Sequence, residues 1–306
     1  MNARTSLPFG LSLCLALCNA GCDDSLKSVS AIEETRVLGA RLEVDTDPNR
    51  SSPEAGEGAS LRFFVAAPDG EPQISYALSV CAVKPANSGF PPCVSAPFAT
   101  SLRTEPSSGD ARLDFQVPQD VLLENTPDAF ASGLICPDSG LNLAADGTPS
   151  CLGASGTRVA FEFELGSAEQ SNQSPSFAAD ALSLDGEPWP QSAETSCDAG
   201  TLPQVAAKSR HVLRVELADS NFEPLRQATS LDPARETLLV SPFSDAGTLD
   251  HGFLSLSQDT APEQQRVSWD APAIGDALPR LVRFYFVVRD ARGGEDFTGR
   301  ALCVVP

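Results

Sequence analysis

The chain has 306 residues, 41 of them acidic and 21 basic, for a formal net charge of -20. Such a surface repels phosphate backbones and argues against a nucleic-acid partner; it also offers anionic lipid no polybasic attraction. With 25 prolines, 22 glycines and 7% aromatics, the composition is that of a loop-rich β protein long enough for two domains.

The chain opens with Met1-Asn2-Ala3-Arg4, a short basic start, then an apolar stretch from Leu7 to Leu17, then Ala20-Gly21-Cys22. That is the grammar of a secretory signal. The apolar run is about half of the ~20 residues a spanning helix needs. Asn19-Ala20-Gly21-Cys22 resembles the bacterial lipobox, with Asn19 where that pattern has an aliphatic residue. The resemblance implies cleavage before Cys22, a diacylglycerol on its sulfur and acylation of its amine. The alternative is ordinary cleavage near Ala20, which leaves a soluble periplasmic protein. Nine cysteines are present, and Cys14 and Cys18 leave with the signal. Six of the remainder can pair, so Cys22 is the odd thiol unless it is lipidated.

The expected organisation is signal 1–21, tether 22–33, a β-sandwich 34–165, a linker 166–178 and a second β-sandwich 179–306. In the first sandwich, Leu38, Ala40, Leu42 and Val44 share one strand face. The run 61–65 is a second strand. Ile74, Tyr76, Leu78 and Val80 alternate in a third, Leu113, Phe115 and Val117 in a fourth, and Val159, Phe161, Phe163 and Leu165 in a fifth. Period-two alternation between turn signals is the mark of half-buried antiparallel strands. Residues 119–156 read as a less regular excursion, with Val121-Leu122-Leu123 opening a short helix. The polar run 166–178 reads as linker. Beyond it, Leu182 and Leu184, then Leu213, Val215 and Leu217, and shorter runs at 238–240, 254–256 and 267–269 are strand candidates. A C-terminal hairpin is the strongest signal. Val282, Phe284, Phe286 and Val288 line one strand, Asp290 to Glu295 turn, and Phe297, Ala301, Cys303 and Val305 return on an apolar face. The fold class is all-β, two immunoglobulin-like sandwiches in tandem.

Proximity suggests the bridges Cys81–Cys93, Cys136–Cys151 and Cys197–Cys303, among fifteen pairings open to six cysteines. No pair has C-x-x-C spacing, so a metal site is not expected. Asp45-Thr46-Asp47-Pro48-Asn49 begins like a calcium loop, but Arg50 stands where Gly is required. Asp138, Asn142 and Asp146 are a second calcium candidate, read as a solvated loop. His211 and His251 are the only histidines. Either is a base in principle, but no G-x-S-x-G elbow, Walker loop, dinucleotide fingerprint or H-E-x-x-H motif occurs. Both read as surface residues. Trp189 and Trp269 are read as core or inter-domain packing, with sugar stacking as the alternative. No catalytic residue, metal or cofactor is expected.

Residues 35–41 (Thr-Arg-Val-Leu-Gly-Ala-Arg), 286–294 (Phe-Val-Val-Arg-Asp-Ala-Arg-Gly-Gly) and 300–304 (Arg-Ala-Leu-Cys-Val), with Asn172-Gln173-Ser174-Pro175 and Leu184-Asp185-Gly186, resemble a group of uncharacterised myxobacterial lipoproteins. The resemblance implies tandem immunoglobulin-like domains on a lipid anchor and no particular activity. The expectation is therefore a lipid-anchored envelope protein with a structural, scaffolding or binding role toward a protein or glycan partner. The alternatives are a hydrolase using a carboxylate pair on glycans and a soluble periplasmic binding protein. The outer membrane is the expected location. Asp23, which resembles the inner-membrane retention signal of enteric lipoproteins, keeps the inner membrane open.

Overall fold

The computed structural model describes residues 28–68, 70–83, 91–94, 96–120, 128–153, 155–166, 171–191, 196–198, 200–225, 234–274 and 279–306. The signal, Cys22 and Val121-Leu122-Leu123 lie outside these residues. Within them the regular elements are strands, with short 3-10 turns and no α-helix.

The first nine strands are β1 (Arg36–Val44), β2 (Gly58–Ala66), β3 (Ile74–Val83), β4 (Ala99–Ser107), β5 (Ala111–Gln116), β6 (Asp128–Pro137), β7 (Leu141–Leu143), β8 (Pro149–Cys151) and β9 (Thr157–Glu164). They form a sheet β1-β2-β5, a sheet β4-β3-β6-β9 and a small β7-β8 hairpin. All pairings are antiparallel. The inward residues Leu42, Leu61, Phe63 and Leu113 of one sheet meet Tyr76, Val80, Ile135 and Phe163 of the other. Each such side chain contributes ~1.5–3 kcal/mol when taken from water. The strand order is that of an immunoglobulin-like sandwich in which the fourth strand joins the sheet of the third.

Two strands differ from the sequence expectation. The stretch read as irregular contains β6, a central strand paired along its length with both β3 and β9. Its outward residues Phe130 and Leu134 are apolar like its inward ones, so the alternation that marks a half-solvated strand is absent. The irregular part narrows to the excursion after Pro137. β4 lacks a hydrophobic pattern because it is a polar edge strand, with Thr100, Leu102 and Thr104 to Ser107 pointing to solvent or nearly so.

The remaining strands are β10 (Leu182–Leu184), β11 (Glu187–Pro188), β12 (Gln204–Ala206), β13 (Arg210–Val215), β14 (Leu238–Ser244), β15 (Thr248–Leu249), β16 (Leu254–Leu256), β17 (Arg266–Asp270), β18 (Arg280–Arg289) and β19 (Glu295–Val305). They make two five-stranded sheets, β11-β10-β13-β17-β15 and β12-β19-β18-β14-β16. β12 runs parallel to β19, at the edge of its sheet. Trp189 and Trp269 are both buried in the core between these sheets, edge-on to Phe284. Their indole N–H groups donate to Ala301 O and Ala246 O at 3.0 and 2.9 Å. Neither is available to stack on a sugar.

The phase of β19 differs from the expected one. Val282 pairs with Leu302, Phe284 with Arg300 and Phe286 with Thr298, so residues 298, 300, 302 and 304 face the core. Phe297, Ala301, Cys303 and Val305 face outward. A one-residue shift of phase exchanges the faces, and here both are buried. Arg300 accordingly sits in the second core, 3% exposed, donating to Trp189 O at 2.5 Å and Thr298 Oγ1 at 2.6 Å. Burial lowers its pKa.

What covers the outward face of β14, β18 and β19 is the first sandwich. Ile32, Leu38, Phe64 and Ala66 pack against Phe243, Tyr285, Val287 and Phe297. Phe64 stacks on Phe297 with centroids 4.1 Å apart. A bulge between Val37 and Gly39 turns Leu38 toward this contact. The free edge of β1 is closed by an ion pair from the hairpin mouth. Glu295 Oε2 accepts the Ala40 N–H at 2.8 Å, Arg289 donates to Leu38 O, and the two side chains bond each other at 2.7 Å. A Cβ on Gly39 would stand 2.5 Å from Glu295 Oε2, so the contact needs glycine there.

The run read as linker is packed rather than solvated over its described part. Asn172 is fully buried, its amide donating to Ser51 Oγ at 2.8 Å and Asp290 Oδ2 at 2.7 Å, and its N–H to Ser52 Oγ at 2.7 Å. Polar composition there reflects hydrogen bonding between the two sandwiches.

Candidate functional site

A groove of about 630 Å³ lies on the outward face of the sheet β4-β3-β6-β9. Its floor is made by small outward side chains, Ala77 and Ser79 on β3, Ser132 on β6 and Ala160 on β9. Small residues here leave a trough, because the outward Leu102 and Leu134 and the hairpin residue Leu143 rise beside it. Leu102 is 51% exposed and Leu143 41%, an apolar rim that solvent would not select for by itself.

Two disulfides hold the walls. Cys81–Cys93 ties the segment around Pro91 and Cys93 to β3, and Cys136–Cys151 ties the β7-β8 hairpin to β6. Val94 N–H to Ala82 O at 3.0 Å adds to the first attachment, and Leu152 N–H to Gly140 O at 2.8 Å closes the base of the β7-β8 hairpin. Among the described residues lining the groove, Arg158 is the one charged side chain. Among the described residues no carboxylate lines it, and they offer no pair of acids of the kind a glycosidase requires. The remaining polar groups are hydroxyls, including those of Ser79, Thr100 and Ser132. These described residues can hold an apolar body and one negative group.

A second cavity of about 310 Å³ lies between the edges of β1 and β9, beside the Arg289–Glu295 pair. Burial raises the Glu295 pKa, against the pull of Arg289 and the Ala40 N–H. These groups are already satisfied by one another and serve the contact between the sandwiches.

The other candidates fall as follows. The third bridge, Cys197–Cys303, ties the segment before β12 to the outward face of β19, where Leu202, Ala301 and Leu281 cluster around it. All three bridges are those that proximity suggests. Asp47 closes a turn by accepting the Asn49 N–H at 3.2 Å, and Arg50 pairs with Glu54 and Glu57. Asp146 accepts the Thr148 N–H in its own loop. No three His, Cys, Asp or Glu side chains gather at metal-binding distance among the described residues. His251 is exposed and touches Asp250 at 2.9 Å. His211 is not the surface residue its sequence context suggests. It shares the inward face of β13 with Leu213 and Val215, its side chain is 12% exposed, and it contacts Asp185 and Ser209. A polar Ser-x-His at the start of a strand is the local signal; its partner Asp185 is 26 residues away and only the fold brings it there.

No family model matches this sequence, and no curated protein matches it. Among solved structures, a D00-D0 domain of intimin is similar at 8% identity over 87% of this chain and 100% of that one, with a TM-score of 0.22. A Salmonella alpha-2-macroglobulin reacted with methylamine is similar at 14% identity over 90% of this chain and 15% of that one, again with a TM-score of 0.22. At that score neither superposition carries an argument about function.

Proposed function

We propose that this chain is a lipid-anchored protein of the bacterial cell envelope that works by binding, with the groove of the first sandwich as its ligand face. The anchor reading rests on the sequence around Cys22, and the three bridges support it by accounting for six cysteines and leaving Cys22 as the odd thiol. Ser28, where the described chain begins, is six residues on from Cys22, a reach of at most about 20 Å. Two or more acyl chains would hold it there stably. The outer membrane is the favoured location.

The observation that carries the binding reading is the groove itself. Its volume of about 630 Å³ lies in the range of small-molecule sites, roughly 300–1,000 Å³, and its lining is apolar with one guanidinium. On a chain of net charge -20 that single Arg158 selects the ligand's polarity. The occupant is a compact, mostly apolar molecule carrying one anionic group.

Two measurements test this. Intact mass of the protein from its native membrane is expected to show loss of residues 1–21 and a gain of acyl mass; an unmodified Cys22 thiol would instead leave the soluble periplasmic binding protein. Calorimetric titration with a series of alkyl carboxylates and the matching alcohols is expected to favour the carboxylates. Arg158→Gln should remove that preference, and Leu134→Arg should block the groove. Equal binding of acids and alcohols, or no binding of either, would refute the ligand class.

A further inference from the structure

We propose that the second sandwich carries an activated serine, Ser209, served by His211 as base and oriented through Asp185, able to take an acyl group from an ester. Asp185 and Ser209 come from two turns at one end of the sandwich, and His211 from the start of β13, two residues after Ser209. β10 and β11 are joined by the two-residue turn Asp185-Gly186, with φ of 52° and 88°, the left-handed pair that a tight hairpin requires. This turn lays the Asp185 carboxylate over the start of β13. Its Oδ1 accepts the Val212 N–H at 2.8 Å, and its Oδ2 lies 2.6 Å from His211 Nδ1. Between β12 and β13 the chain turns through Lys208, a non-glycine residue at φ 61°, which delivers the Ser209 Oγ to 2.5 Å from His211 Nε2. The imidazole lies against Trp269, centroids 6.0 Å apart, and is held at both nitrogens. Such a constellation is recognised by geometry and roles, not by chain order.

The proton inventory of the site allows two arrangements. The Ser209 hydroxyl has one hydrogen and two acceptors in reach, Ala206 O and His211 Nε2. If the hydrogen goes to Ala206 O, the ring must donate from both nitrogens and is a cation. If it goes to Nε2, the ring is neutral, with its own proton on Nδ1 toward Asp185. The second arrangement is the one a serine nucleophile uses. Oγ then attacks the ester carbonyl, the hydroxyl proton passes to Nε2, and Asp185 stabilises the resulting imidazolium. Nε2–H protonates the departing alcohol, leaving an ester on Ser209. Water repeats the attack with His211 as base, releasing the carboxylic acid and restoring the serine. Asp185 touches neither substrate nor Oγ and is a positioning residue. Because it is half exposed at the end of the sandwich, the site suits an ester presented on an exposed chain or surface, not one enclosed in a pocket. The inference is independent of the lipid anchor and of the groove, which lies on the other sandwich.

The test is labelling of the full chain with a fluorophosphonate ester, which forms a stable bond to an activated serine, followed by peptide mass spectrometry. Hydrolysis of 4-nitrophenyl acetate is measured alongside. The adduct is expected on Ser209, absent in Ser209→Ala, and formed at least ~10²-fold more slowly in His211→Ala, the range a general base supplies. Asp185→Asn keeps the oxygen that accepts the Val212 N–H. It should therefore leave the melting temperature unchanged and the probe's saturation concentration similar, while the maximal labelling rate falls. Ser209→Cys should react with iodoacetamide in a His211-dependent way, which keeps the idea testable if the alanine variant misfolds. No adduct at Ser209, or an adduct whose rate ignores His211→Ala in a folded protein, would overturn it.

Discussion

The sheet β4-β3-β6-β9 of the first sandwich and the sheet β12-β19-β18-β14-β16 of the second use their outward faces in opposite ways. In the first, the face of β3, β6 and β9 is left open as a trough between two disulfide-tied walls. In the second, the outward face of β14, β18 and β19 is closed, by Phe64 and Leu38 at one end and by the Leu202 segment under Cys197–Cys303 at the other. Both faces carry exposed or packed apolar side chains, so hydrophobicity alone does not distinguish the open face from the packed one. What distinguishes them is side-chain size. Ala77, Ser79, Ser132 and Ala160 leave space that Phe243, Tyr285 and Phe297 fill. One face holds the two sandwiches together while the other is open.

The disulfides sharpen this contrast most. Cys197–Cys303 closes a separation of 106 residues over the packed face, against 12 and 15 for the bridges of the open face. The chain-entropy model assigns about 4.7 kcal/mol to a loop near 100 residues and about 3 kcal/mol to one near 15. The double variant Cys197→Ser, Cys303→Ser should therefore lose the most stability in chemical denaturation. Removing Cys136 and Cys151 should lose less, and should loosen the ligand groove. A larger loss from the short bridge would break the distinction between the packed face and the open one.

The acidic cluster between β14, β18 and β19 gives a second, smaller effect. Glu236 has a side chain only 3% exposed and lies 2.5 Å from Arg292 Nε, with its other oxygen unpaired. Burial pushes its pKa from 4.5 up to about 7, against Arg292 and with help from Asp290 and Glu223. Asp290, which caps the hairpin turn through the Arg292 and Gly294 N–H groups, is raised as well by burial. The folded state thus binds the Glu236 proton more tightly than the unfolded chain does. Its contribution to stability is complete below about pH 4.5 and is lost as pH rises through about 7. Between those limits the change should be on the order of 1–3 kcal/mol. Glu236→Gln should flatten the profile of unfolding free energy between pH 5 and about 8, since the amide cannot titrate. An unchanged slope would assign the pH dependence to other groups.

Much of this architecture is legible in the sequence, and the gaps have one physical origin. Leu42, Leu61, Val80, Leu113 and Phe163 sit where alternation puts them, because their strands have one wet face. β6 escapes notice because Phe130 and Leu134 interrupt the polar positions Asp128 and Ser132 of its outward face, so the alternation is broken. β19 is read one residue out of phase because Phe297 and Ala301 are as apolar as Leu302 and Val304, and because Arg300 and Thr298 occupy the inward positions. Asn172 looks like linker because a buried hydrogen-bonding residue and a solvated one have the same composition. Periodicity reports the contrast between two faces; where both are dry, or both carry polar groups with partners, it is silent. His211 fails for another reason: its Asp185 and Ser209 contacts depend on where two turns end, which only the assembled sandwich decides.

The smallest effect goes to the heart of the comparison, because it asks whether the closed face is closed by specific contacts. Phe64 and Phe297 are nearly parallel, 8° apart, and Arg62 sits 4.7 Å above the Phe297 ring. A stacked aromatic pair is worth about 0.5–1.5 kcal/mol beyond its buried area, and a cation over a ring about 0.5–1 kcal/mol when exposed. Phe64→Ala and Phe297→Ala should each destabilise the chain, and a double-mutant cycle should return a coupling of about 1 kcal/mol. Phe297→Leu should retain much of the packing but lose most of that coupling, since Leu has no π face. If the two substitutions instead add without coupling, Phe64 and Phe297 do not meet in solution. The face of β19 would then be as open as that of β6, and side-chain size would no longer tell the two apart.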